Sequence, residues 1–351
     1  MFFFILKRVL YGILVTVLVV LIITSIIYLA PVDPTRLTFG QRSDNATVIA
    51  KRKELGLDKP LYVQLAYYIT DISPVSFHTD TPLNAEKYSY LKNFRFGESV
   101  LVLKKPFLRQ SYQTGRKVSD ILSDAVPQTA ILALSSIIIA SIIGIVLGIL
   151  AALKPGSWFD TSALVLSVLG YSLPSYIIAM MFALIFGYWF SAYTGLNIQG
   201  SLFEINDVGD EVTVWKNLIL PAMALGIRPV ALIMQLTRST MLDMLSMDFV
   251  RTAKAKGLSK PAITIKHVLR NALNPVTTAI SGWFAGLLAG AFFVESVFSY
   301  NGLGQITVTA LLNFDIPVVI GSVLFTAVAF VVLNIVTDIV YALLDQRIRL
   351  E

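Results

Sequence analysis

Stretches of chain without a single charged side chain decide what this sequence can fold into. Val9 to Val32, Ala125 to Leu153 and Thr161 to Phe203 contain no Asp, Glu, Lys or Arg, and about 20 apolar residues are enough for a helix to cross the hydrocarbon core of a bilayer. Leu218 to Thr237 is apolar apart from Arg228, Val276 to Val294 is uncharged, and Ile316 to Thr337 is uncharged up to Asp338. Six membrane-spanning helices are therefore expected. A signal peptide is the competing reading of the first run, but its apolar region would be about 7 to 15 residues long. Val9 to Val32 exceeds that and reads as a retained span.

The composition agrees with a membrane protein. Hydrophobic residues make up 56% and charged residues 14% of the chain, against roughly 25% charge in soluble domains, and the mean hydropathy is +0.73. Cysteine is absent, which removes disulfides, thiolate metal sites and cysteine nucleophiles. The two histidines, His78 and His267, are far apart in sequence, so neither a histidine metal site nor a catalytic dyad is expected. The net charge of +6 is distributed as membrane topology requires and does not point to nucleic acid.

Orientation follows from lysine and arginine in the short loops. Between Arg238 and Arg270 stand Arg238, Arg251, Lys254, Lys256, Lys260, Lys266 and Arg270 against Asp243 and Asp248, whereas Ser191 to Asn217 carries Glu204, Asp207, Asp210 and Glu211 against Lys216. Both termini are then cytoplasmic, at 1–8 and 345–351. The first span is 9–32, and 33–124 lies outside the membrane on the far side. A core at 125–344 holds spans at 125–153, 161–190, 218–237, 276–294 and 316–344, with a cytoplasmic loop at 238–275. The external segment carries 14 basic and 10 acidic residues, which does not conflict with its placement, because loops beyond about 60 residues translocate largely regardless of charge. Within it Thr47–Leu55 and Pro60–Ile72 read as short helices punctuated by Gly56, Asp58 and Pro60, and Ser73–Lys92 reads as loop. No internal repeat is evident, which argues against an inverted-repeat transporter.

The cytoplasmic loop carries local helix signals. Ser246 is placed to cap, Asp248 falls in the first turn, lysines fall in the last turn and Gly257 stands at the exit. Phe249, Val250, Ala253 and Gly257 share one face, where small Ala253 and Gly257 would admit another surface close to the backbone. Ser259 and Pro261 open a second helix that Asn274-Pro275 is expected to end. A basic helix resting on anionic lipid is the competing explanation.

In the spans, Gly144 and Gly148, and likewise Gly282, Gly286 and Gly290, recur every four residues, a spacing that lets helices pack closely in lipid. Pro174 and Pro221 should each either kink a helix or free backbone groups toward a cavity. Arg228 is the one clearly intramembrane charge, costing about 2.5–3.5 kcal/mol even on insertion scales. It needs a partner, water or a substrate carboxylate. No phosphate-binding Gly-x-x-x-x-Gly-Lys-[Ser/Thr], no His-Glu-x-x-His and no Gly-x-Ser-x-Gly occurs, so no nucleotide site or hydrolase site of those types is expected.

The run Asp248-Phe-Val-Arg-Thr-Ala-Lys-Ala-Lys-Gly-Leu-Ser259, followed by His267-Val-Leu-Arg-Asn-Ala-Leu-Asn-Pro275, resembles the coupling loop of ABC importer permeases of the dipeptide/oligopeptide/nickel branch. The resemblance extends to Ala30-Pro-Val-Asp-Pro34, Glu54 to Gln64, Phe94-Arg-Phe-Gly-Glu-Ser99, Val118 to Leu134, Val294 to Gly304 and Tyr341 to Arg349. It implies an all-α polytopic bundle of the type I importer permease fold. It also implies a coupling site of Asp248, Phe249, Arg251, Thr252, Ala253, Gly257 and Pro275, with Arg251 standing where the family motif has an acid. Further implied are a second similar permease chain, two ATPase subunits that bind the ATP and magnesium, and an extracytoplasmic solute-binding protein. This chain itself would bind no cofactor and no metal, and would not be an enzyme. The location implied is a bacterial or archaeal cytoplasmic membrane, in contact with lipid. The cargo implied is a peptide, with nickel or another small peptide-like solute as the alternative. An ATP-independent secondary transporter and a receptor-like membrane protein are the readings from other classes.

Overall fold

The computed structural model describes residues 2–29, 45–54, 56, 58–79, 81, 84, 87–88, 90, 92–97 and 99–344. The elements in chain order are α1 (Phe2–Leu29), α2 (Asn45–Glu54), α3 (Leu61–Ile72), β1 (Val75–Thr79), β2 (Lys92–Phe96), β3 (Ser99–Leu103), α4 (Val118–Leu153), α5 (Trp158–Ser172) and α6 (Ser175–Phe182). A π-helical stretch, Ala183–Trp189, continues α6 and is followed by α7 (Ser191–Thr194), β4 (Phe203–Ile205), β5 (Glu211–Thr213), α8 (Lys216–Leu245) and α9 (Asp248–Ala255). After α10 (Lys260–Ala262) a second π-helical stretch, Ile263–Leu269, leads into α11 (Arg270–Gly290), α12 (Phe292–Phe298), α13 (Leu303–Leu312) and α14 (Ile316–Leu344). The Ala30–Pro34 motif and the tail at 345–351 lie outside the described residues.

Among the described residues four helices are long and apolar enough to cross a membrane: Leu6–Ile26 within α1, α4, α8 and Ile316–Ile339 within α14. Counting each of two bent helix pairs as one span gives six. In α1 the side chains of Leu10, Ile13, Leu14, Ile22 and Ile26 are exposed, an apolar surface suited to lipid and costly in water.

Within the expected span 161–190, α5 and α6 meet at 107°, a kink at Pro174. The proline ring of Pro174 crowds the residue before it out of the helical region, so Leu173 turns extended at φ −75°, ψ 136° and Pro174 becomes the N-cap of α6. Pro221 and Pro229 have no such effect and remain inside α8, both buried. Where neighbouring helices hold the backbone in place, a missing N–H is tolerated.

The chain divides into two compact units. The first comprises Met1–Leu10, Val126–Gln305 and Ala329–Glu351. Its core draws Leu132, Ile137 and Ala140 from α4, Leu225 and Ile233 from α8, Val276 and Leu287 from α11, and Phe298 from α12. Gly144 and Gly148 form the α4–α8 seam. A Cβ on Gly144 would stand 2.8 Å from Ile233 Cγ2, and one on Gly148 would stand 2.6 Å from Thr237 Cβ and 2.8 Å from the Met234 carbonyl. Gly282 and Gly286 behave differently. Both are exposed, and a Cβ on Gly286 would meet nothing within 4 Å. The expectation that they form a seam of this bundle is corrected. Gly290 is the last residue of α11.

The second unit comprises Tyr11–Ala125 and Ile306–Val328. It contains an antiparallel sheet in the order β1-β3-β2, with Val75 opposite Leu103 and Phe96 opposite Ser99. Val100 and Val102 of the central strand are buried while Ser99 and Leu103 are exposed, the alternation a one-sided sheet requires. This sheet, and the hairpin pairing β4 with β5, are small additions to a mostly helical chain, and β1 corrects the reading of Ser73–Lys92 as loop. Asp71, buried at the end of α3, accepts from Tyr88 Oη at 2.6 Å and Arg109 Nε at 2.8 Å. Buried Lys104 donates to the Asp71 carbonyl and lies over the Tyr88 ring. Burial lowers the pKa of the Lys104 ammonium, with Asp71 opposing. Val20, Tyr68, Ile316 and Ile320 pack together beside this cluster.

Candidate functional site

The basic loop after α8 folds as a short helix on an apolar seat. α9 runs Asp248–Ala255, with Asp248 in its first turn and Lys254 in its last, both signs favourable to the helix dipole. Its N-cap is Met247, not the expected Ser246. Ser246 belongs to the end of α8, where its hydroxyl donates to the Asp243 carbonyl at 2.7 Å and is lost to capping. Gly257 has φ +77°, its N–H reaches the Lys254 carbonyl at 3.0 Å, and Leu258 N–H reaches the Ala253 carbonyl at 3.3 Å. A left-handed residue at this point closes the helix, and glycine adopts that conformation without a Cβ penalty.

Val250 and Ala253 point inward. They join Ala152 of α4, Met241 of α8 and Ile263, Val268 and Ala272 in one buried cluster, with Phe249 packed at its edge. The docking face expected around Ala253 is therefore corrected, since that face is occupied by this chain. The outward face carries Asp248, Arg251, Thr252 and Lys254, all exposed, with Gly257 open at its end. Arg251 lies 3.4 Å from Asp248 with both side chains largely in solvent, a pairing that contributes little.

The second helix starts at Ser259 with Lys260-Pro261 in its first turn, but Pro275 does not end it. Pro275 lies inside α11. Thr277 and Thr278 hydroxyls donate to the Leu273 and Asn274 carbonyls at 2.9 and 3.2 Å, and Ala272 and Val276 are buried. Side-chain hydroxyls and packing hold the helix through the proline.

Arg228 is half-buried on α8. Its guanidinium carbon lies 5.2 Å from the Tyr171 ring centroid, a cation–π contact, and its Nε is buried without a hydrogen-bond acceptor among the described residues. Tyr171 precedes the bend at Leu173-Pro174, so the intramembrane charge stands beside the broken span.

Two charged residues escaped the sequence reading as site residues. Asp160 is 2% exposed and pairs with both Arg238 Nε and Arg238 Nη2, the latter at 2.7 Å. Glu295, fully buried, directly follows the uncharged run Val276–Val294. The available signal was that each stands at the edge of an apolar run, where a charge is ordinarily solvated.

This arrangement finds its counterpart in known proteins. Residues 144–350 match the family described as binding-protein-dependent transport system inner membrane component, and residues 1–76 match the N-terminal model of such membrane components. The dipeptide transport system permease protein of Bacillus subtilis is 36% identical over 281 residues, 78% of this chain and 82% of that one. The glutathione transport system permease protein of Salmonella typhimurium is 32% identical over 347 residues, 99% of this chain and 98% of that one. Inward-facing structures of the MetNI methionine ABC transporter share the fold, with a TM-score of 0.51 at 16% identity, covering 65% of this chain and 97% of that one. The chain is a multi-pass membrane protein and belongs to the binding-protein-dependent transport system inner membrane component family, as a permease subunit of an ABC importer.

Proposed function

We propose that the chain forms half of a translocation pathway for peptides or peptide-like solutes and is driven by an ATPase subunit that docks on the outward face of α9. The observation that carries this reading is the division of α9 into two faces: Val250 and Ala253 are anchored in the body, while Arg251, Thr252 and Lys254 are presented outward. A helix fixed on one side and charged on the other suits a mechanical contact. The dipeptide and glutathione relatives support short peptides as cargo. A second, similar permease completes the pathway, two ATPase subunits hold the ATP and magnesium, and an extracytoplasmic binding protein delivers the solute. Both termini face the cytoplasm of a bacterial or archaeal cell, and Arg228 faces the pathway.

The test is a double charge reversal on the exposed face, Arg251→Glu with Lys254→Glu, in the assembled transporter. ATPase co-purification and ATP-dependent uptake are expected to fall together while the chain still inserts in the membrane. Retention of both would refute the docking assignment.

A further inference from the structure

α5 and α8 are joined at both ends. They run antiparallel, so that Asp160 meets Arg238 at one end, Ser167 meets Met234 at 3.2 Å in the middle, and Gly170 and Tyr171 meet Ile227 and Arg228 at the other. The Gly170 contact is close, since a Cβ there would stand 3.0 Å from Ile227 Cγ2. The first of these joints is the strongest, because a planar guanidinium donating twice to one carboxylate fixes orientation as well as distance.

That joint lies at the base of the docking helix. Arg238 sits two turns before the end of α8, and only Ser246 and Met247 separate α8 from α9. Met241, one turn beyond Arg238, is part of the buried seat under Val250 and Ala253. The Asp160 carboxylate also accepts from Gly156 N–H at 2.9 Å, so the connection from α4 to α5 is tied into the same point. An anion in the first turn of α5 is further favoured by the helix dipole. Burial makes the pair costly to break on one side only, because an isolated charge would be left behind.

We infer that Asp160 and Arg238 form a clamp that makes α5 move as one body with α8 and α9, so that displacement of the docking helix reaches the bend at Leu173-Pro174. This rests on the proposed docking of an ATPase on α9. Both are positioning residues: they carry motion and touch no solute. Without the clamp, α8 would shift under α9 while α5 stayed behind, and ATP would be hydrolysed without moving the bend.

The experiment uses the complete transporter in proteoliposomes, with binding protein and peptide, and reads solute moved per ATP hydrolysed. ATP-dependent uptake by the unaltered complex checks the underlying reading separately. Asp160→Asn is expected to lower the transport-to-ATP ratio about tenfold while ATPase activity stays within about twofold, and Arg238→Lys to fall between. A structural role alone would reduce the amount of complex and leave the ratio unchanged. Because this chain has no cysteine, Asp160→Cys with Arg238→Cys gives a pair without competing thiols in the same chain, and a bifunctional thiol reagent long enough to replace the two side chains should restore the ratio. An unchanged ratio in the assembled Asp160→Asn complex overturns the clamp. So does loss of coupling on cross-linking, which would mean that the two helices must part. If Asp160→Asn fails to assemble, Arg238→Lys and the cross-linked pair decide.

Discussion

Thr129 Oγ1 donates to Glu295 Oε1 at 2.8 Å, joining α4 to α12 through a carboxylate that no solvent reaches. The other oxygen accepts from the backbone N–H groups of Gly304 at 2.7 Å and Gln305 at 3.1 Å, at the start of α13. Thr129 Oγ1 also receives Leu303 N–H at 2.7 Å. One acid thus gathers the end of a span, a neighbouring span and the chain that follows.

Glu295→Ala should therefore destabilise the protein by about 3 kcal/mol or more, because buried donors left without acceptors cost about 1–3 kcal/mol each. Glu295→Gln should be milder, since its amide oxygen can still accept from Gly304 and Gln305 N–H while its NH2 takes the place of the oxygen that accepts from Thr129 Oγ1. The denaturant midpoint in detergent checks both. A shift under about 0.5 kcal/mol for the alanine variant would contradict the anchoring role.

The two glycine series should separate. Gly148→Val inserts atoms where even a Cβ stands 2.6 Å from Thr237, and overpacking of this kind costs about 1–3 kcal/mol. Gly286→Ala meets open space and should leave stability unchanged or raise it by up to about 1 kcal/mol through helix propensity. Equal losses at the two sites, measured by thermal denaturation, would count against the packing assignment.

Helix α9 yields two different failures. Ala253→Leu should disturb the buried seat and lower stability by about 1–3 kcal/mol, whereas Arg251→Glu with Lys254→Glu should leave stability within about 0.5 kcal/mol and remove ATPase binding. Gly257→Ala should cost about 1–2 kcal/mol for its left-handed backbone. Parallel melting curves and co-purification distinguish them, and loss of stability in the surface double variant would reverse the assignment of faces.

For Arg228→Gln, assembly should persist and uptake of peptide should fall at least about tenfold, the effect of losing about 1.4 kcal/mol or more. A peptide with an amidated C-terminus should be affected less, because it lacks the carboxylate that the Arg228 guanidinium, whose Nε has no acceptor among the described residues, would attract. Normal uptake with normal assembly removes Arg228 from the pathway, and loss of assembly assigns it to the partner permease.

The β1-β3-β2 sheet should loosen in acid. His78 stacks on Tyr88 at 4.2 Å between centroids and pairs with Ser76 Oγ at 2.8 Å. Burial holds its pKa below the ordinary 6.5, Lys104 and Lys87 push the same way, and Asp71 opposes them. A folded value below the unfolded one means that the unfolded chain takes up the proton first. Stability from this site is thus complete above the unfolded value and is lost as pH falls through the folded one. Exchange protection in β1 and β3, taken relative to the intrinsic exchange rate at each pH, should fall as the pH drops below the ordinary histidine value of 6.5, and His78→Gln should remove that part of the response. The same pH dependence in the variant would exclude His78 as its source.

The long apolar helices, the charged helix α9 and its glycine exit were legible because each depends on chain-local physics: uncharged length, helix-end charges and a residue able to take positive φ. Proline was only half legible. Pro174 breaks a span and Pro275 does not, although both impose the same restriction on the residue before them. The difference lies in what surrounds them, an extended turn at Leu173 as against buried Ala272 and Val276 with hydroxyls stitching the helix.

By itself the sequence determined that this chain lives in a bilayer, where its long apolar runs fall, and where a charged helix stands. Tertiary structure alone decided that Ala253 faces inward, that Gly148 packs and Gly286 does not, and that Asp160 meets Arg238 across 78 residues of chain. Hydropathy and helix signals act over a few turns, but the partner of a buried charge or the neighbour of a glycine is set by which distant helix packs there. No local pattern in the sequence carries that information.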